Sequence, residues 1–397
     1  MAHSTRPGTF QREMPNQPPA LVIGGKLNGL SVCRSLARAG IETYVLDTNR
    51  YDPASWSRSA TPIKTNALHG AGLLTTLRTI GLPGGTVLII TDEMAVYTIS
   101  EYRDELAGKF RFHLPSHEQV LIQHDKALFH KFAVASGLPV PNSITIEDET
   151  ELPALRELHF PVILKPADKR DFHLNGAERV VLASDPQRAE TACQRLLKTT
   201  SKVIAQECIE GPDDNLYFCL FYRKDNIIKA MFTGRKLASV PRGTGSTAVT
   251  VEVPPGNLRT KLEDLTETFL VASNYAGIGG IEYKLDVRIG RLLIVEPTVG
   301  RTDCQEEIAT LCGTNIPAIA YYEECNLPIP PSERIPGVVW QQSYLTRMRA
   351  GFGVVPRKAT VVDAYWRRHD PMPAITHYPF DIISLIQGAA RRLTRCG

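Results

Sequence analysis

Apolar runs of four or five residues recur in the first third of the chain, separated by glycine turns and helical patterns. Ala20–Ile23, Thr43–Asp47 and Thr86–Ile90 each have the length and composition of a buried strand. A helical pattern that ends at Gly40 lies between the first two. Strand, helix and strand in this order is typical of a βαβ unit with a parallel sheet. We therefore predict a small α/β domain over residues 20–118.

Residues 119–205 carry the pattern of a helix followed by strands. Asp125 is placed to cap the helix and Gly137 to end it. Residues 160–165 and 202–206 are short, strand-like segments. A mixed α+β unit is the expected result.

Residues 206–324 favour antiparallel strands. Two apolar runs between 216 and 253 flank a polar turn at 223–226, and a further hairpin is centred on Gly290. Between them lies an amphipathic helix whose apolar side carries Leu258, Leu262, Leu265, Phe269 and Leu270. Residues 325–397 are rich in Pro and Arg, and the pattern predicts no fold for this extension.

Composition removes several classes of function. Of the 397 residues 43% are hydrophobic and 22% charged, and the net charge of +3 is too balanced to indicate a nucleic-acid or membrane-surface protein. No apolar run approaches the ~18 residues of a membrane helix. Eight cysteines without a CxxC pair argue against a disulfide or zinc framework, so a cytoplasmic location is expected. Residues 1–19 are predicted to be a disordered tail.

The glycine turn after the first strand has two interpretations. Gly24, Gly25 and Gly29 follow a strand, and Asp47 ends the next, as in a dinucleotide-binding site. The spacing is GGxxxG rather than GxGxxG, and such a motif is weak evidence on its own. We favour a supporting domain in which the glycines permit a tight turn.

Two lysines are placed where a phosphate would stabilise them. Lys126 lies in the first turn of the predicted helix, where a cation opposes the helix dipole at a cost of ~0.3–1 kcal/mol. Lys165 ends an apolar strand and needs a partner or access to water. Taken singly, each lysine is better explained as a solvated structural residue. A nearby phosphate would make both of them ligands.

Acidic residues form two further groups. Asp213 and Asp214 follow a Gly-Pro turn. Their carboxylates could accept hydrogen bonds from ribose hydroxyls, and the alternative is an acidic loop without a ligand. Glu282 lies on one strand of the second hairpin and Glu296 ends the other. Two carboxylates on neighbouring strands repel unless a cation lies between them, and Mg²⁺ takes carboxylates together with phosphate oxygens. The alternative is a solvated face neutralised by Lys284.

The loop of this hairpin decides whether the two acids can share an ion. A two-residue turn would pair Tyr283 with Glu296 and turn the acids to opposite faces. A metal site therefore requires an odd-length loop or a bulge, such as a three-residue turn with Gly290 in the left-handed region. That register pairs Glu282 with Glu296 and keeps Thr298 on their face.

Taken together, these residues resemble the ATP-grasp superfamily over roughly residues 20–320, close to carboxylate–amine ligases of the D-aspartate ligase and carbamoyl phosphate synthetase type. The resemblance implies an α/β and α+β fold: a Rossmann-like domain at 20–118, then ATP-grasp subdomains at 119–205 and 206–324. It implies ATP and Mg²⁺ as cofactors.

The resemblance also assigns roles to residues. The implied ATP-binding residues are Lys126, Lys165, Gln206, Glu207, Ile209, Asp213 and Asp214. The implied metal ligands are Glu282, Glu296 and Thr298, where the family commonly has Asn in the last place. Arg235, Lys236 and Arg301 match the basic residues that stabilise the transferred phosphoryl group and the acyl phosphate.

The implied activity is formation of an amide or peptide bond through an acyl phosphate, with an amino acid as one expected substrate. Small-molecule carboxylates and amines are the expected partners. We expect neither nucleic-acid binding nor a membrane span, and a homodimer is a possible assembly. Because Thr298 replaces the Asn that the family commonly has, one alternative is a regulatory ATP-binding protein on a degenerate ATP-grasp fold. The other alternative is a phosphotransferase.

Overall fold

The computed structural model describes residues 17–168, 170, 180–241, 245–356, 358–379 and 382. The predicted disordered tail, residues 1–19, lies outside the described residues except for its last three. Within the described part of the chain, no helix combines the length and the apolar character that crossing a membrane requires.

The first sheet is parallel, as predicted. Its five strands are ordered β3-β2-β1-β4-β5, and the central strand β1 is fully buried. The strands are β1 (Ala20–Ile23), β2 (Thr43–Asp47), β3 (Thr61–Lys64), β4 (Thr86–Ile90) and β5 (Phe110–Arg111). The helices are α1 (Leu27–Arg38), α2 (Gly70–Thr79), α3 (Glu93–Glu101), α4 (Arg103–Leu106) and α5 (His117–His124).

A four-stranded antiparallel sheet follows helix α6 (Lys126–Ala135). Asp125 caps α6 as predicted, since its carboxylate accepts from the backbone N–H groups of Ala127 and Leu128 at 2.8 and 2.9 Å. The strands, in the order β6-β9-β7-β8, are β6 (Ser143–Ile146), β7 (Val162–Pro166), β8 (Val181–Ala183) and β9 (Val203–Glu207). Helix α7 (Pro186–Leu197) packs on one face, which leaves the other face for a cleft.

The third sheet has seven strands in the order β14-β13-β10-β11-β12-β15-β16. They are β10 (Leu216–Lys224), β11 (Ile227–Val240), β12 (Ser246–Glu252), β13 (Gly277–Asp286), β14 (Arg291–Val299), β15 (Val338–Gln341) and β16 (Thr360–Asp363). The helices are α8 (Asn257–Ala272), α9 (Glu307–Leu311), α10 (Ile316–Glu324) and α11 (Tyr344–Ala350). Because β15 and β16 belong to this sheet, it crosses the predicted boundary at residue 324.

The two faces of this sheet have different neighbours. Tyr217 and Phe221 belong to the cluster that contains Phe269 of α8. Phe218 and Leu220 belong to the cluster that contains residues of α1, α9 and α10. The alternation along β10 therefore separates a helix-covered face from a face turned towards the first domain.

The two predicted hairpins differ in their turns. Lys224 pairs with Ile227, and the two residues between them have positive φ, as a two-residue turn requires. In the second hairpin Asp286 pairs with Arg291, which leaves four residues in the turn. Gly290 is left-handed as predicted, at φ 63°, but the three-residue turn is wrong.

A β-bulge restores the register that a metal site needs. Tyr283 pairs with Ile294, whereas Glu282 pairs with Glu296, so Val295 is an extra residue in β14. The four-residue turn without the bulge would have placed Glu296 opposite Ile281, on the other face. The predicted pairing of Glu282 with Glu296 is confirmed, and the bulge produces it.

Buried polar contacts join α1 to two later parts of the chain, at Glu306 and at Asp370. Arg34 pairs with Asp370 at 2.9 Å, and both side chains are almost fully buried. Glu306 accepts from the Ser35 hydroxyl at 3.0 Å and from the Thr310 hydroxyl at 3.1 Å. Burial raises the pKa of Glu306 to about 8, an effect that these hydroxyl donors reduce and Glu307 increases. This carboxyl group is therefore largely protonated in the folded protein at neutral pH.

We predict that Glu306→Gln stabilises the protein increasingly from pH 5 to pH 8. The folded state holds the Glu306 proton more tightly than the unfolded state, in which the pKa is near 4.5. The stability that this proton contributes is complete below pH 4.5 and is lost as the pH rises to about 8. The parent should lose up to about 1.4 kcal/mol per pH unit relative to the variant. Urea denaturation at each pH measures this, and a pH-independent difference between the two proteins would contradict the assignment.

Candidate active site

A cleft between the second and third sheets brings together four residues predicted from the sequence. They are Lys126 of α6, Lys165 of β7, Gln206 of β9 and Glu296 of β14. The remaining walls are mostly apolar, and include Phe129, Val140, Ile204, Ile294 and Val295. Elements from both predicted ATP-grasp subdomains therefore form one concave site.

The two lysines reach the cleft by different routes. Lys126 begins α6, where its backbone N–H donates to Ala167 O at 2.8 Å and its Nζ lies 3.4 Å from Pro166 O. Lys165 alternates along β7 with buried Leu164, which packs into the core beneath the sheet. The strand period thus points Lys165 away from that core and into the cleft.

Only part of the predicted adenine hinge faces the cleft. Gln206 lines it, but Glu207 is turned to the opposite side of β9, where its carboxylate accepts from His159 N–H at 3.0 Å. The Glu207 side chain therefore does not line the cleft. The backbone groups of Ile209, just beyond the strand, have no hydrogen-bond partner among the described residues. They are available to the edge of a base.

The two acids predicted to bind ribose are bonded to β11. Arg235 Nη2 pairs with Asp214 Oδ2 at 3.0 Å, and Ser239 N–H donates to Asp213 at 3.3 Å. Arg235 also lies over the Tyr217 ring, on the sheet face covered by α8. Adjacent residues on a strand point to opposite faces, so Arg235 is separated from Lys236 and does not share its site.

The predicted metal ligands lie on one face of the β13–β14 hairpin. Glu282 is directly opposite Glu296, and Thr298 is opposite Gly280, two residues further along the strand. Directly opposed residues have β-carbons about 4.5–5.5 Å apart, which suits one bridging ion. No group of three or more His, Cys, Asp or Glu in the described ranges forms a metal site by itself. Phosphate oxygens would have to complete the coordination.

Charges around Glu282 fit a cation-binding site. Lys236 Nζ forms a short ion pair with Glu282 Oε1. Burial raises the pKa of Glu282, and Lys236 lowers it, while Asp303 and Glu296 raise it further. Burial lowers the pKa of Lys236, but Glu282 and Asp303 together outweigh this, so the net shift is upward. An excess of carboxylate charge over Lys236 at this point favours a divalent cation.

Arg301 lies between the third sheet and the first domain. Its guanidinium is 3.7 Å from Glu93 Oε1 on α3 and 3.9 Å from Asp303 Oδ1. Burial lowers the pKa of Arg301, but Glu93, Asp303 and Glu296 together raise it above its ordinary value. Arg301 therefore remains charged at the edge of the face that carries Glu282 and Glu296.

Several residues of the site were not identified from the sequence. Asp303 joins the Lys236 and Arg301 environments, and Gln123, Phe129 and His130 line the cleft. Phe129 lies at a helical position that is indistinguishable in the sequence from a core position. Asp303 lies in an irregular loop. No local pattern distinguishes these residues from structural ones.

The glycine turn supports the interpretation that we favoured. Asp47 accepts a short hydrogen bond from Gly25 N–H and others from the backbone of Thr48 and Asn49 at 2.6 and 3.1 Å. A β-carbon on Gly29 would lie 2.0 Å from Gly24 O. The glycines thus permit close packing of the turn, and the acid that would bind ribose is already occupied by backbone donors.

Comparison with known proteins gives a fold. No family model and no curated protein matches the chain. N5-carboxyaminoimidazole synthetase from Staphylococcus aureus matches with a TM-score of 0.61 and 13% identity, over 80% of both chains. N5-carboxyaminoimidazole ribonucleotide synthetase from Thermotoga maritima matches with a TM-score of 0.58 and 18% identity, over 80% of this chain and 78% of that one.

A third structure is the biotin carboxylase domain of Hydrogenobacter thermophilus 2-oxoglutarate carboxylase, solved with MgADP and bicarbonate. It matches with a TM-score of 0.63 and 13% identity, over 81% of this chain and 73% of that one. These likenesses show that the chain has the ATP-grasp fold expected from the sequence.

We predict that Lys165→Ala and Lys126→Ala weaken ATP binding while leaving the fold intact. Hydrogen bonds to charged groups contribute roughly 1.5–3 kcal/mol, so each change should raise Kd about 10- to 100-fold. Titration calorimetry with AMP-PNP and Mg²⁺ measures this. Lys131→Ala, at an exposed position of the same helix, is the matched control. Unchanged affinity in either folded variant would remove that lysine from the phosphate site.

Proposed function

We propose that this protein is an ATP- and magnesium-dependent ligase that joins a carboxylate to an amine through an acyl phosphate. One observation carries the proposal. Lys126, Lys165 and Gln206 line the same cleft as Glu296, and Glu296 lies directly opposite Glu282. Two lysines that could bind phosphates therefore line one concave site together with Glu296, one member of the carboxylate pair.

The nucleotide would lie along this cleft. Lys126 and Lys165 would bind its phosphates, and the free backbone groups of Ile209 would contact the adenine edge beside Gln206. Glu282 and Glu296 would hold Mg²⁺, with the Thr298 hydroxyl ligating it or holding a bound water. The ion, when bound, neutralises phosphate charge and orients the group that is transferred.

Phosphoryl transfer to a carboxylate oxygen would be followed by attack of an amine and release of phosphate. Such transfer needs positioning and charge stabilisation more than covalent participation by the protein. Lys236 is buried and Arg301 is largely buried on the side that carries Glu282 and Glu296, and they would stabilise charge on the transferred group. Arg235 has no part in this proposal, because it faces the opposite side of the sheet.

The similar structures support the nucleotide assignment. The Hydrogenobacter domain is described in complex with MgADP and bicarbonate, and a carboxyaminoimidazole ribonucleotide synthase of Aspergillus clavatus with ATP. None of these proteins is named for an amino acid, so the expected amino-acid substrate is not carried forward. The substrates that we propose are a small carboxylate and a small amine. The Hydrogenobacter domain is described as a dimer, and a homodimer is our proposed assembly.

Dependence of ADP release on the two substrates separates the proposal from its rivals. A ligase sustains ADP release over many turnovers only when a carboxylate and an amine are both present, because the amine must consume the acyl phosphate. A phosphotransferase would release ADP with one acceptor alone, and a regulatory ATP-binding protein would bind AMP-PNP without turnover under any condition. A matrix of small carboxylates, bicarbonate included, against small amines, scored by ADP, distinguishes the three.

We predict that Glu296→Gln raises the Mg²⁺ concentration needed for nucleotide binding at least about tenfold, because one charged ligand is lost. Mg²⁺ titration at fixed AMP-PNP measures the effect and does not require the substrates. Glu267→Gln on the exposed side of α8 removes the same charge away from the cleft and should match the parent. Superimposable curves for Glu296→Gln and parent would show that the metal binds elsewhere.

A further inference from the structure

Lys236 and Glu282 form an ion pair that spans three neighbouring strands. Lys236 lies on β11 and Glu282 on β13, with β10 between them. Neighbouring strands are about 4.8 Å apart, so the lysine side chain must extend across β10 to reach the carboxylate. The two side chains are only 7% and 16% exposed. This contact is therefore specific and largely shielded from solvent.

The carboxylate that Lys236 contacts is one that a metal would also require. Glu282 faces Glu296 across the hairpin, and Asp303 contributes a third negative charge to the Lys236 and Glu282 environments. A divalent ion bound between Glu282 and Glu296 would meet the lysine ammonium at the same carboxylate. Two cations at that separation repel strongly where water is largely excluded. Lys236 and a metal ion thus compete for Glu282.

We propose that Lys236 is an internal counter-ion that occupies Glu282 without nucleotide, excludes free Mg²⁺, and transfers to phosphate oxygens when Mg²⁺ and ATP bind together. The inference rests on the proposed function, because it presupposes that Glu282 and Glu296 bind the metal. Free Mg²⁺ would have to displace the ammonium from its ion pair with Glu282 while it stays buried, which is unfavourable. Nucleotide phosphates supply a replacement partner.

Two consequences follow from the exchange of partners. Metal and nucleotide bind cooperatively, and the coupling is reciprocal, so each raises the affinity for the other by the same factor. Lys236 also reaches the phosphate only when the metal is in place. The ion pair therefore keeps the phosphate-stabilising cation away from the cleft until the metal–nucleotide complex is complete.

The deciding variant is Lys236→Met, which keeps an extended side chain but removes the charge. Without nucleotide, it should bind Mn²⁺, followed by electron paramagnetic resonance, at least tenfold more tightly than the parent. MgCl₂ alone should raise its Tm, but not the parent's, when KCl holds the ionic strength constant. Lys236→Arg retains the charge and should behave as the parent does. Adding Glu282→Gln to Lys236→Met should abolish the new metal response.

Equal Mn²⁺ affinity of parent and Lys236→Met without nucleotide would overturn the proposal. Lys236→Gln, which is also uncharged, provides the same measurement if Lys236→Met does not fold. The proposed function is tested separately by Mn²⁺ binding to the parent with AMP-PNP. Absence of that binding would reject the metal site itself. Normal binding with AMP-PNP, together with equal affinities in its absence, would reject only the role of Lys236.

Discussion

Two carboxylates, Glu282 and Glu296, lie directly opposite each other on neighbouring strands, and the charge of this pair constrains the surrounding structure. Opposed like charges on a partly buried sheet face destabilise it unless cations offset them. Lys236 reaches across a whole strand to contact Glu282, and Arg301 lies at the end of the same face with Glu93 of the first domain nearby. The alignment of three separate chain segments therefore reflects one electrostatic requirement.

The cleft depends equally on the connection between the two sheets that enclose it. Ile294 N–H donates to Pro139 O at 2.7 Å, which attaches β14 to the segment after α6. Val287 N–H donates to Glu210 O at 3.1 Å, which attaches the turn before β14 to the segment after β9. These bonds hold the carboxylate-bearing hairpin beside the strand that carries Lys165. A nucleotide with its metal would thus contact groups whose relative positions are fixed by backbone contacts, which reduces the cost of ordering them on binding.

Residues that are adjacent in the sequence are separated in the structure at two places, for one reason. Arg235 and Lys236 are adjacent, as are Gln206 and Glu207, and the family pattern treats each pair as a unit. Along a strand the side chains alternate, so one member of each pair faces the cleft and the other faces away. Arg235, on the face opposite to Lys236, pairs with Asp214.

The sequence by itself determined many of the elements before residue 325, since short apolar runs, the Asp125 cap and the left-handed Gly290 are local properties that hydrophobic period and backbone freedom specify. It also identified most of the charged residues of the cleft, because a lysine ending a buried strand needs a partner wherever that strand lies. The tertiary structure alone decided which of them meet. The bulge at Val295, the reach of Lys236 across β10, and the position of Asp303 depend on strand pairing between segments distant in sequence. Pairing energy is collective, and a one-residue shift reverses every side chain, so no local pattern could specify those contacts.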